Sequence, residues 1–266
     1  MRKILLIFVI LGASYRQAKA VPILSFFNEM KTPALVKLFQ DSTLVPTLQQ
    51  LHAEIRMGLL DLTPERAAII HTLNKSGIPV VAWLLLPEEK GYWFHSGNGA
   101  VANERYLEVK KWISDNQLQI KGIGLDLEID INDLNLLKAS PRKMFRKIPG
   151  RLYDKKTLAD GREQYAKLIS QIKADGYAVE SYYVPFIRDE ANNDRTALQQ
   201  VTKFMDIRTD HDIPMLYSSF MGDGDGLIQV YGFDQQVKYY ALGSTGGGFD
   251  TTFPTLSYNQ LVHDMN

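Results

Sequence analysis

The stretch KGIGLDLEID, Lys121 to Asp130, decides how the rest of the chain is read. Its residues alternate at period two, the periodicity of a β-strand, whose successive side chains point to opposite faces. Ile123, Leu125, Leu127 and Ile129 fall on one face, and Gly122, Gly124, Asp126, Glu128 and Asp130 on the other. A strand buried on both sides is expected to be apolar on both. Three acids at every second position therefore mark a face that does something other than pack.

Working outward, strands and amphipathic helices alternate. Val21 to Glu29 reads as a first strand, followed by a helical region from Pro33 to Ala53. Ile55 to Asp61 is the second strand. Thr63 as cap, Pro64 at the first helical position and Gly77 as stop bound the next helix. Ile78 to Pro87 is a third strand, almost unbroken in apolar residues, as a buried parallel strand is. The loop EEKGYWFHSGNGA and the helix NERYLEVKKWISDN lead into the acidic strand, the fourth. Beyond it, Tyr177 to Phe186, Ile213 to Phe220 and Val237 to Ser244 read as strands five to seven. The helix Gly161 to Gly176 leads into the fifth, the helix Asp189 to Phe204 separates the fifth from the sixth, and LSYNQLVHDM closes the chain as a short helix.

Repeated strand–helix units imply an α/β fold with a parallel sheet. The expected architecture is a (β/α)8 TIM-type barrel with seven strands identified and the eighth not found, so that the barrel is incomplete or open. The alternative is an open doubly wound parallel sheet. The barrel is preferred because polar and aromatic residues gather at one strand end after another, and a barrel brings those ends to one mouth.

The chain has 266 residues, zero formal net charge, 45% hydrophobic residues and no cysteine. Zero net charge argues against a general nucleic-acid binder, and the absence of cysteine excludes disulfides and thiolate metal sites. Residues 1–20 have two early basic residues, an apolar run from Ile4 to Leu11 and Ala18-Lys19-Ala20. That is the layout of a secretory signal peptide, so the protein is expected to be exported. Residues 21–266 then form a single domain near the roughly 250 residues typical of such a barrel. No histidine pair has zinc-binding spacing and no glycine-rich phosphate loop follows the first strand, so no cofactor or metal is expected.

Acids, aromatics and hydroxyls at the strand ends are the groups a carbohydrate site uses. Asp126 and Glu128, with Cα atoms roughly 6–7 Å apart on one strand, face the same way. Burial and a like-charged neighbour raise a carboxyl pKa, which suits a general acid for a glycosidic oxygen. Glu128 is the expected acid and Asp126 its partner. Asp61, Trp83, Tyr92, Trp93, Asp130, Tyr182 and Tyr217 are the expected substrate contacts, with the GYWF segment as a sugar-stacking platform.

The pattern resembles the chitinase-like family 18 glycoside hydrolases, whose fourth strand carries D-G-x-D-x-D-x-E. Laid on Lys121 to Glu128, that run matches at Gly122, Asp126 and Glu128, while Lys121 and Gly124 stand where the family has acids. The family's Met-x-Tyr-Asp matches at Met215 and Tyr217, with Ser218 in place of the acid. The resemblance implies Glu128 as general acid and Asp126 as the group orienting a substrate acetamido nucleophile. The missing acids put that acetamido route in doubt. Two alternatives remain: a non-catalytic carbohydrate-binding barrel, and a metal-dependent phosphodiester hydrolase with Asp61, Asp126 and Glu128 as oxygen ligands. The basic segment Ser140 to Lys156 is a solvated loop or a contact for an anionic polymer or membrane headgroups.

Overall fold

The computed structural model describes residues 23–218, 225–234, 237–244 and 255–265. The expected signal segment, and the glycine run after Ser244, lie outside these. Six strands form one sheet in the order of the chain: β1 (Ser25–Asn28), β2 (Glu54–Leu59), β3 (Val80–Leu84), β4 (Gly122–Leu127), β5 (Ala178–Tyr183) and β6 (His211–Pro214), each parallel to the next. The helices are α1 (Thr32–Phe39), α2 (Leu44–Gln50), α3 (Pro64–Lys75), α4 (Gly99–Asp115), α5 (Ile131–Ala139), α6 (Pro141–Phe145), α7 (Ile148–Tyr153), α8 (Lys155–Ala174), α9 (Pro185–Asn192), α10 (Ala197–Thr202), α11 (Asp225–Tyr231) and α12 (Tyr258–Asp264).

A doubly wound sheet needs a point where strand order reverses. The order here never reverses, which removes that alternative. Crossovers of one hand in one direction put their helices on one face. That face buries Ile55, Met57, Leu84, Ile123, Leu125, Leu127 and Val179 against Ile70, Val109, Leu168 and Ile172 of the helices. The other face is concave. Adjacent strands lie roughly 4.8 Å apart, so β1 and β5, four positions apart, would be far from touching in a flat sheet. Yet the rings of Phe27 and Tyr182 meet at 4.8 Å between centroids. The sheet is a curled half-barrel.

The expected seventh strand is not a strand. Within Val237 to Ser244 only Ala241 pairs, as a single bridge to Met215. The segment has strand-forming residues, but pairing is a tertiary matter and β6 ends at Pro214, which has no N–H to give a ladder. The expected helix from Pro33 to Ala53 is two helices, α1 and α2, divided around Asp41. The Thr63 cap stands as expected, its hydroxyl accepting from the Arg66 N–H.

Candidate functional site

On the concave face, interior residues stack in layers set by register. Arg56 lies level with Val81, Gly122 and Ala178, Gly124 with Trp83 and Glu180, and Asp126 with Tyr182. The lower layer carries an ion pair. Arg56 Nε and Nη2 donate to Glu180 Oε2 and Oε1 at 2.8 and 2.9 Å, and Nη1 bonds the Ser25 hydroxyl. Above it Tyr182 donates its hydroxyl to Glu180 Oε2 at 3.1 Å and packs edge-on against Phe27 and Trp83. The space that the missing side chain leaves at Gly124 is filled by Tyr182, whose hydroxyl would clash with a Cβ there.

The acids sit on top of this aromatic layer. Asp126 is 3% exposed, and Glu128, two residues nearer the mouth, keeps some solvent contact while protein closes around it. The loop after β3 fixes both. Phe94 donates its N–H to Asp126 O at 2.8 Å, and Glu128 N–H returns to Phe94 O at 3.1 Å. A third carboxyl, Glu29, follows β1 and accepts from Tyr92 Oη at 2.8 Å. Tyr217, beyond β6, faces all three.

Burial, then Glu128 and then Glu29, hold the Asp126 carboxyl well above the usual carboxylate range. Burial and then Glu29 push Glu128 up to about 7, against a smaller lowering by the hydrogen bond it shares with Asp126. The Trp83 indole approaches Asp126 without completing a bond of good geometry, leaving Nε1 and Asp126 Oδ1 buried and unpartnered. No Arg or Lys among the described residues pairs with Asp126 or Glu128. Register is the reason: Arg56 is one interior layer below Glu180 and two below Asp126, so its guanidinium spends both forks on the nearer acid.

The remaining expected contacts go elsewhere. Asp61 accepts from Arg66 Nε at 2.9 Å and Thr32 Oγ1 at 2.5 Å, tying the starts of α1 and α3 together. Burial works to raise its pKa, but those hydrogen bonds lower it further than burial lifts it. It is a structural acid outside the carboxyl cluster, and the metal reading loses its third ligand. Among the described residues no three His, Asp or Glu side chains are placed to hold a metal ion. Asp130 caps α5 through the Asn132 N–H and pairs with His95 and Lys203 at 3.5 and 3.4 Å. Burial keeps His95 down at about 4, in spite of Asp130 beside it. Tyr92 and Trp93 are not an open platform. They are 4% and 7% exposed and pack edge-to-face on each other. Trp83 and Tyr182 are likewise interior, at 6% and 1%.

Glu29 is the functional candidate the sequence reading passed over. Its signal was present, an acid ending the first strand, but only the curl of the sheet shows that it meets β4. A cavity of about 380 Å³ lies elsewhere, at the opposite strand end beside His211 and Tyr239. Arg188, which lines it, is already paired with Asp206 and Asp212 at 2.6 and 2.8 Å.

The raised pKa has a stability consequence. Unfolded glutamate titrates near 4.3, so between that pH and about 7 the folded chain keeps a proton the unfolded chain releases. The contribution is full below the unfolded value and is lost as pH rises through about 7. Urea unfolding is expected to give about 1–3 kcal/mol less stability at pH 8 than at pH 5 from this pair. Glu128→Gln should flatten that slope, because the amide has no proton to lose. The carboxylates of Asp61 and Asp133 have lowered values and act below this window.

No known family profile and no curated protein matches the chain. Among solved structures, the crystal structure of ScGas2 in complex with compound 8 aligns over 87% of this chain and 50% of that one, at a TM-score of 0.41 and 15% identity. The chain thus spans about half the length of that protein. Among the described residues no helix is long and apolar enough to cross a membrane.

Proposed function

We propose that the chain is an exported glycoside hydrolase-like protein in which Glu128 is the general acid, Asp126 its proton-sharing partner and Glu29 the second working carboxylate. The observation that carries this reading is the uncompensated carboxyl pair at the C-terminal end of β4. Asp126 is buried on an aromatic floor, neither acid is paired by a described cation, and Glu128 stands at about 7. At neutral pH about half of such a group is protonated, the condition in which a carboxyl can both hold and deliver a proton.

In the proposed reaction Glu128 gives its proton to the leaving oxygen as the bond to the anomeric carbon breaks. Glu29, brought across from β1, then serves the sugar carbon as base for water or as nucleophile. The hydrogen bond Asp126 gives Glu128 favours the charged form of Glu128, so it stabilises the carboxylate left behind. Tyr217 offers a hydroxyl facing the same three acids. A carboxylate on the protein makes a substrate acetamido group unnecessary, in keeping with Lys121 and Gly124 standing where the family 18 run has acids.

The test uses two sets of aryl glycosides, with poor and with strongly activated leaving groups. Glu128→Gln is expected to lower kcat by about 10²–10⁴ on the poor set and far less on the activated set, which needs no proton. Glu29→Gln should impair both. Wild-type turnover unchanged in Glu128→Gln would end the assignment. Glycan binding with no turnover by the wild type would move the chain to the carbohydrate-binding reading.

A further inference from the structure

The basic segment between β4 and α8 has a division of labour among its cations. Lys147 Nζ and Arg151 Nη2 reach the buried carboxyl of Asp133 at 3.0 and 2.6 Å, and Arg151 Nη1 donates to Val201 O at 2.9 Å. Those contacts pin α7 to the domain. Arg142, Lys143, Arg146 and Lys155 are exposed and have no ion-pair partner among the described residues. Asp154, the one acid of the segment, is occupied as the cap of α8 through the N–H and hydroxyl of Thr157.

The same surface exposes large rings. Phe145 is 61% and Tyr153 86% exposed, while Met144, the buried residue of α6, is 6% exposed and anchors that helix. Four free cations and two outward rings on an element already fixed from beneath give a face whose charges and apolar groups are both unspent. Topology sets where it lies. It leaves the C-terminal end of β4 and ends where α8 starts back toward the foot of β5, so it stands at the level of the strand ends that carry the acids.

We propose that this face, α6 and α7 with the start of α8, docks the protein on an anionic lipid surface. Lys and Arg are drawn to acidic headgroups, while Phe and Tyr rings gain by leaving water at the headgroup level. A polyanion would satisfy the cations but offers Phe145 no apolar medium. A second copy of the same face would set four cations against four. The interaction is independent of the carboxyl chemistry, and it orients the mouth of the half-barrel toward the membrane plane.

The experiment is vesicle co-sedimentation of the full chain. One set of vesicles is phosphatidylcholine alone, the other phosphatidylcholine mixed with phosphatidylglycerol. Binding is expected to the mixed vesicles only and to fall as salt is added. The triple variant Arg142→Gln/Lys143→Gln/Arg146→Gln should weaken it by about fivefold per cation, roughly a hundredfold together. Phe145→Ser/Tyr153→Ser should weaken it with all cations in place. These positions are exposed, so circular dichroism should show both variants folded as the wild type. Failure to bind mixed vesicles overturns the proposal. So does binding that survives both variants. Tighter binding to a soluble polyanion such as heparin, unaffected by Phe145→Ser/Tyr153→Ser, overturns it in favour of a polymer site.

Discussion

Arg56→Met is expected to cost about 3–5 kcal/mol, a large share of the 5–15 kcal/mol that holds a typical domain folded. The guanidinium is 1% exposed, donates through two nitrogens to Glu180, itself 3% exposed, and stands 3.9 Å from Glu54. Methionine fills similar space, so packing changes little. What remains at Glu180 is a buried carboxylate with no counter-ion among the described residues, held by the Tyr182 hydroxyl. Removing one partner of a buried pair leaves the full desolvation cost of the other. Phe27 and Tyr239 also lose the cation over their rings, at 5.5 and 5.2 Å from the centroids. Urea unfolding at neutral pH measures the loss. One control separates charge from shape. Arg56→Met/Glu180→Gln should recover much of the stability at neutral pH. A single variant as stable as wild type would mean that the Arg56–Glu180 pair contributes little net stability, and that the cation on the floor is there for the rings.

That floor was legible in the sequence by the logic applied to the acidic strand, yet it was not read. In Glu54 to Leu59 the residues Ile55, Met57 and Leu59 alternate with Glu54, Arg56 and Gly58, and in Ala178 to Tyr183 Glu180 falls between Val179 and Ser181. Period-two alternation assigns each residue to a face. It cannot tell which acid meets Arg56, because that depends on register between strands far apart in sequence. The parallel sheet, the helix boundaries around Thr63 and Gly77 and the inward face of β4 followed from local pattern. The strand count did not, since Val237 to Ser244 has strand composition but only Ala241 finds a partner. The aromatic loop misled for a related reason. Tyr92 and Trp93 sit in a polar stretch that reads as exposed, but the backbone bonds of Phe94 to β4 draw the loop over the half-barrel and bury both rings. Asp61 and Asp130 look like site acids at strand ends, and both are spent on helix starts and nearby cations.

Gly124→Ala is the complementary test, because it attacks the floor through shape alone. A Cβ at position 124 would stand 2.2, 2.7 and 2.9 Å from Oη, Cζ and Cε2 of Tyr182. The far end of a tyrosine can often swing away, but this ring is 1% exposed, wedged edge-on between Phe27 and Trp83, and bonded to Glu180. Overpacking of this kind costs about 1–3 kcal/mol, and more where nothing nearby can yield. The upper end is expected here. Tyr182 is level with Asp126 across the β4–β5 register, so displacing the ring should reach the acids. Water admitted around Asp126 and Glu128 would weaken the burial that raises both carboxyls, and the pH dependence of stability between about 4.3 and 7 should flatten. Tyr182→Leu, which removes the hydroxyl end of the ring, should relieve the clash, so Gly124→Ala should cost much less in that background. The double-mutant cycle then isolates the contact itself. A Gly124→Ala protein with unchanged unfolding midpoint and unchanged pH slope would show that the tyrosine floor yields freely. The high pKa of the pair would then have to come from Glu29 and the mutual repulsion of the acids rather than from what lies under them.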